Sequence, residues 1–332
     1  MDWNKIIIPI SLSLLISAKS KLPVLSTQQS IENLRFISKD GKYTYYQRRS
    51  GSLILSTNYS VKEVIKGRMG TNYSIISSPE RKRLLASQDH DYHYNYSFNA
   101  DKNIIALNFG GTLPQKLGMG ISPRLHMRDT WASFFTTKDQ TIHFKNIDGP
   151  LLKFDIKLFN KINPYFIPQV VMLDDRRILY TDLNQKGLAG VLLYDRQKKQ
   201  IKPLFKVESI NKKIELCFHK KLYMGIFSLD HTNPGSKIHN IPLDSLDFDN
   251  EHVIYQSEKN DLGNLICNLD EKQLYFIQNQ TNNEGRQSFE VVEFSLNNKK
   301  TKTLSDVKYA SQIIQMDGRP LLVYRGKYYI LK

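Results

Sequence analysis

From Asn33 onward the chain alternates apolar and polar residues in short runs split by turn residues. A period of two over a handful of residues predicts β-strands. Such runs lie at Asn33–Ser38, Lys42–Gln47, Ser52–Ser56, Ile104–Asn108 and Ile178–Thr181. Others are Val191–Tyr194, Leu274–Ile277, Val291–Phe294 and Leu321–Tyr324. Helical periodicity is nearly absent beyond the N-terminal segment.

The runs belong to a repeated unit. An apolar strand ends in a tight polar turn, and a basic residue then opens a second apolar or aromatic strand. Copies span 34–46, 75–85, 132–144 and 170–180, with weaker ones at 216–223, 266–276 and 313–322. Their turns centre near Asp40, Glu80, Asp139, Asp174, Lys220, Asp270 and Asp317, at separations of 40, 59, 35, 46, 50 and 47 residues. Asp, Asn and Gly suit these positions because they tolerate the positive φ of tight hairpins. One four-stranded unit cannot cover its own two faces, so such units stack around an axis and close into a ring.

A blade of four strands takes ~40–50 residues. The expected fold is therefore all-β: one β-propeller domain over 21–332, with seven four-stranded blades and six or eight as the alternatives. The third inner strand is expected at Ala132–Phe135, with its turn at Asp139. The long interval before it holds a further hairpin, Phe98–Leu107, read as the outer half of an enlarged second blade or as an eighth, degenerate repeat.

The turn segments Ser38–Tyr46, Ser78–Leu85 and Leu173–Tyr180 resemble the TolB-like and WD40-like propeller repeat. Its pattern is an apolar strand, Ser-Pro-Asp-Gly-Lys, then another apolar strand. The resemblance runs from about Asn33 to the end. Most copies lack the full Pro-Asp-Gly triplet, and the Trp-Asp dipeptide of WD40 blades is missing. The resemblance implies scaffold roles in the cell envelope, but a fold does not fix a function. The last repeat supplies three strands, near Ser311–Gln315, Leu321–Arg325 and Tyr328–Leu331. A strand near Leu22–Ser26 is expected to complete it, closing the ring with both termini and removing open sheet edges.

The N-terminus changes the expected location. Lys5 precedes an uncharged run from Ile6 to Ala18, followed by Ala18-Lys19-Ser20. A short apolar stretch ending in small residues reads as a secretory signal peptide over 1–20. The alternatives are an uncleaved anchor or a buried N-terminal segment. The expectation is a periplasmic or secreted monomer with no stable membrane insertion after cleavage. The formal net charge of +15 favours acidic partners, although the basic residues are scattered and export argues against nucleic acid. Cys217 and Cys267 are the two cysteines. Both fall in expected inner strands, where buried free thiols are the expectation and a bridge is the alternative that an oxidising compartment would permit.

Candidate chemistry is sparse. GxSxG, P-loop, GxGxxG and HExxH motifs are absent, and Gly110, Gly111, Gly118 and Gly120 read as loop punctuation. Asp89-His90-Asp91-Tyr92-His93 concentrates carboxylates and imidazoles. Asp89, Asp91 and His93 would share one strand face, either as a divalent-metal set or as a polar, partner-contacting loop. Arg124, His126 and Arg128 alternate ahead of Asp129 and Trp131. They are read as a cationic face toward the central channel or as a structural network with Trp131 as packing. The pairs Asp174/Asp175 and Asp247/Asp249 read as turn chemistry. No catalytic residue, metal or cofactor is assigned. The expected role is a binding or scaffold module for a protein, peptide or cell-envelope polymer. The alternative is a hydrolase or lyase acting on an acidic or sugar substrate in the channel.

Overall fold

Within each sheet, consecutive strands pair antiparallel, as short hairpin connections require. The computed structural model describes residues 34–331 except 70, 79–81, 90–100, 113, 129, 149–151, 160–162, 164–165, 229–234, 249–251, 259–260, 269–271, 282–286, 308–311 and 325–326. The first sheet is β1 (Leu34–Ile37), β2 (Tyr43–Gln47), β3 (Leu53–Thr57) and β4 (Val61–Ile65). A seven-stranded sheet follows. It holds β5 (Asn72–Ser78), β6 (Arg83–Asp89), β7 (Lys102–Asn108), β8 (Gln115–His126), β9 (Trp131–Thr136), β10 (Thr141–Asn146) and β11 (Lys153–Lys157).

Three four-stranded sheets come next. One holds β12 (Val170–Met172), β13 (Arg177–Leu183), β14 (Ala189–Asp195) and β15 (Gln200–Lys206). The next holds β16 (Lys212–Phe218), β17 (Leu222–Ser228), β18 (Ser236–Ile241) and β19 (Val253–Ser257). The third holds β20 (Asp261–Cys267), β21 (Gln273–Thr281), β22 (Gln287–Ser295) and β23 (Thr301–Val307). The last sheet has three described strands: β24 (Gln312–Met316), β25 (Arg319–Tyr324) and β26 (Lys327–Ile330).

The seven-stranded sheet changes partner inside β8. Its first half, Gln115 to Gly120, pairs with β7, and its second half, Ile121 to His126, pairs with β9. The outermost strand of one unit thus runs straight into the innermost strand of the next. This corrects the expected third repeat. Its inner strand is the second half of β8, its first turn lies around Arg128, and the Asp139 turn joins the two strands further out. Replacing Asp139 by Arg128 turns the uneven intervals of 59 and 35 residues into 48 and 46. The described part of the 98–107 stretch, from Asp101, holds β7, which pairs with β6 on one side and β8 on the other.

Both faces of most strands are apolar because each face belongs to a different core. Leu179 joins Val191, Leu216 and Met224 in one cluster, while its neighbours Ile178 and Tyr180 join Trp131, Phe144 and Met172 in another. Likewise Tyr275 and Ile277 pack with Leu322, and Leu274 and Phe276 pack with Phe227. Successive residues point to opposite faces of a strand, so each sheet is stacked between two others. The chain's ends share one such core: Phe36, Tyr45, Leu84 and Ile105 pack with Met316 and Leu321. Burying a side chain of this size contributes ~1.5–3 kcal/mol. The first and last sheets also exchange hydrogen bonds, from Arg319 Nη2 to Ile37 O (2.9 Å) and from Tyr328 Oη to Leu34 O (3.4 Å). The strand expected near Leu22–Ser26 lies outside the described residues.

The cysteines are bridged. Cys217 on β16 and Cys267 on β20 form a disulfide between the inner strands of neighbouring sheets, with Cα atoms 5.9 Å apart. Among the described residues, no helix is long and apolar enough to cross a membrane.

Candidate binding site

The inner strands carry a polar cluster. Arg124, half-buried on β8, donates to Gln169 Oε1. Gln169 is fixed in turn, its N–H donating to Thr181 Oγ1 at 2.8 Å. Burial holds the Arg124 guanidinium below its ordinary pKa, against the pull of the Glu215 carboxylate. His126 Nε2 lies 2.7 Å from Ser133 Oγ. Burial first, and then the Arg124 charge, drive the His126 imidazole down to about 3. Glu215 Oε2 accepts the Leu265 N–H at 2.6 Å and Oε1 pairs with Lys213. This carboxylate therefore ties β16 to the next sheet.

Arg128 does not share the face of Arg124 and His126. It sits exposed in the β8–β9 turn, where Met127 and Arg128 both adopt positive φ (51° and 52°). Trp131 is 3% exposed. Its ring meets Phe154 edge-on at 5.5 Å, and the Arg196 guanidinium covers it at 5.1 Å. Asp89 ends β6, where its backbone pairs with Asn72, while His90, Asp91, His93 and Asp129 lie outside the described residues. Asp174 behaves as a turn residue. Burial would raise its pKa, but hydrogen bonds from Arg177 and Arg176 outweigh it and hold the carboxyl low. Gly118 and Gly120 are strand residues rather than loop punctuation: both lie in β8 beneath the Phe134 ring. Among the described residues no three His, Cys, Asp or Glu side chains gather as a metal set.

A cavity of about 710 Å³ opens elsewhere, among the turns joining first and second strands. Antiparallel order puts every such turn on the same side of the ring. The turns after β1, β5, β20 and β24 supply Lys39, Asp40, Lys82, Asn268 and Asp317 to its wall, and Arg319 enters from the start of β25. Tyr43, Phe109, Pro320, Ile330 and Leu331 form the apolar part. Asp40 is held low by the Ser38 hydroxyl (2.7 Å) and then by the Lys42 N–H (3.1 Å). Arg319 is lowered by burial, which Asp317 and Asp40 oppose. Its Nε has no hydrogen-bond partner among the described residues. In the sequence, Asp40 and Asp317 stand out only as turn centres. The signal was their recurrence at one place in each repeat, which ring closure converts into proximity.

Stacked antiparallel sheets, with cores between every neighbouring pair and a core shared by the two ends, define a β-propeller. Solved structures agree. Similar ones include an oligogalacturonate lyase in complex with manganese (TM-score 0.56, 10% identity, 90% of this chain and 88% of that one). The β-propeller domain of Myceliophteria thermophila Cps50 (Swd1) is also similar (0.54, 12%, 90% and 95%). So is the tricorn protease (0.53, 10%, 90% and 34%). At these identities the likeness is one of fold, the β-propeller. No family model matches the sequence, and no curated protein does.

Proposed function

We propose that the chain is an exported, seven-bladed propeller that binds a protein, peptide or cell-envelope polymer through its hairpin-turn side, without a catalytic step. The observation that carries this reading is the cavity with Lys39, Lys82 and Arg319 in its wall. The polar groups of the inner strands, by contrast, are engaged within the fold: Arg124 by Gln169, His126 by Ser133, Glu215 by Leu265 and Lys213. The change of partner within β8 supports seven blades. The three strands of the last sheet support closure by the segment near Leu22–Ser26. The Cys217–Cys267 bridge supports export, because disulfides persist in oxidising compartments. The net charge of +15 supports an acidic partner for a monomer.

The test is hydrogen exchange on the full chain, with and without acidic peptides and soluble envelope-polymer fragments. Slowed exchange is expected at 38–43 and 317–331. Slowed exchange confined to the opposite side of the ring, or none with any of these ligands, overturns the binding face. Export is checked by expressing the chain with its leader and sequencing the recovered N-terminus, expected near residue 21.

A further inference from the structure

We propose that the cavity receives the C-terminal carboxylate of an extended peptide whose last side chain is apolar. The inference rests on the hairpin-turn side being the binding face. Arg319 is the central residue. Its Nη2 donates to Ile37 O, its Nε is unpartnered among the described residues, and it forms no ion pair with them. Asp317 and Asp40 act on it only through space.

Both carboxylates are engaged elsewhere. Asp317 accepts the Lys39 N–H at 2.5 Å, and Asp40 accepts from Ser38 and Lys42. The wall therefore holds three cations and two fixed anions, with the guanidinium partly desolvated. A ligand carboxylate would meet the part of the guanidinium that lines the cavity, not the buried Nε, and arginine suits carboxylate geometry.

The rest of the wall argues for a peptide end instead of a free anion. About 710 Å³ is far more than one ion fills and falls within the ~300–1,000 Å³ typical of ligand pockets. Tyr43, Pro320 and Ile330 stand beside the cations and offer apolar contact to a terminal side chain. The Asp317 oxygen that does not take the Lys39 N–H would accept from a peptide N–H that precedes the terminus. Capture of a terminal carboxylate by donors next to an apolar pocket is an established mode of peptide recognition.

Calorimetry on the oxidised full chain tests this with acetyl-Gly-Gly-Leu as the free acid and as the C-terminal amide. The acid is expected to bind about tenfold tighter, the worth of one charge-assisted contact. Arg319→Gln should bring that ratio close to one. Lys82→Gln, at an exposed turn position, should lower it about threefold without risk to folding. Inorganic phosphate should not displace the acid. Equal binding of acid and amide, no binding of either, an undiminished ratio in both variants, or displacement by phosphate overturns the proposal. If the acid fails while polymers or other peptides still slow exchange at 317–331, only the ligand class falls. If the acid binds but slows exchange elsewhere, the binding face falls with it.

Discussion

The carboxylate of Asp317 accepts the backbone N–H of Lys39 at 2.5 Å, across 278 residues of sequence. Its own N–H donates to Ser77 Oγ at 2.7 Å, so one residue of the last sheet reaches the first sheet and β5. Asp317 can do this because it opens a two-residue turn with φ of 48°, followed by Gly318 at 72°. Positive φ at both positions defines the hairpin turn that matches strand twist. Asp317→Ala is expected to lower unfolding free energy in urea by about 2 kcal/mol, the usual contribution of a hydrogen bond to a charged group. Asp317→Asn keeps an acceptor and tolerates the backbone, so it should cost less than half as much. An alanine variant as stable as the parent would show that this seam does not hold the ring.

The Cys217–Cys267 bridge closes a loop of 50 residues and joins inner strands of adjacent sheets. In the chain-entropy account, a loop of that length gives up to about 4 kcal/mol through the unfolded state. The Cys217→Ala/Cys267→Ala double variant should therefore melt well below the oxidised parent. Reducing agent should shift the parent's Tm downward and leave the variant's unchanged. A parent insensitive to reductant under denaturing thiol conditions would argue against the bridge's contribution.

Gly118 and Gly120 lie under the ring of Phe134, and a Cβ on either would stand 2.7 Å from a ring carbon. Beside Gly120 the Phe135 carbonyl oxygen is also close, 2.8 Å from such a Cβ. Ala at either position has to displace a core ring or the ladder, at about 1–3 kcal/mol by the usual cost of overpacking. Gly120→Ala should be the worse of the two, because backbone yields less than a side chain. Gly110→Ala is the control, since its nearest neighbour is a side-chain oxygen at 3.5 Å. Thermal melts of the three variants rank them directly.

Those two glycines show what was and was not legible in the sequence. Period-two alternation locates strands such as β2, β13 and β25 to within two residues at each end, because that period is a property of the strand itself. Turn residues located hairpins for the same reason. The third repeat is shifted from its expected place because β8 serves two units without a turn between them, and turn residues are what mark the repeat in the sequence. Gly118 and Gly120 looked like a loop because glycine's local meaning is a turn, whereas its role here is to admit Phe134 from another strand. The fate of Trp131 and the assembly of Lys39, Lys82 and Arg319 depend on which sheets face each other across the ring. No local pattern encodes that. The cationic alternation at 124–128 was real as sequence, but the chain turns at Met127 and sends Arg128 outward.

His126 makes stability depend on pH in a definite direction. Burial and the nearby Arg124 hold its pKa at about 3, against an ordinary 6.5. Below pH 6.5 the unfolded chain takes up a proton at this position, and the folded chain does not until about pH 3. Stability therefore falls as pH drops through that window, by at most about 1.4 kcal/mol per pH unit. The carboxylates of Asp40, Asp174 and Asp195 are held below their ordinary 3.8, so their contributions are lost only at lower pH. Between pH 6.5 and 4.5 the parent should lose roughly 2 kcal/mol through His126. His126→Gln can still hydrogen-bond Ser133 and cannot titrate, so its urea midpoint should change less over the same range. Equal pH slopes for the two proteins would mean that the imidazole is not held neutral in the folded ring.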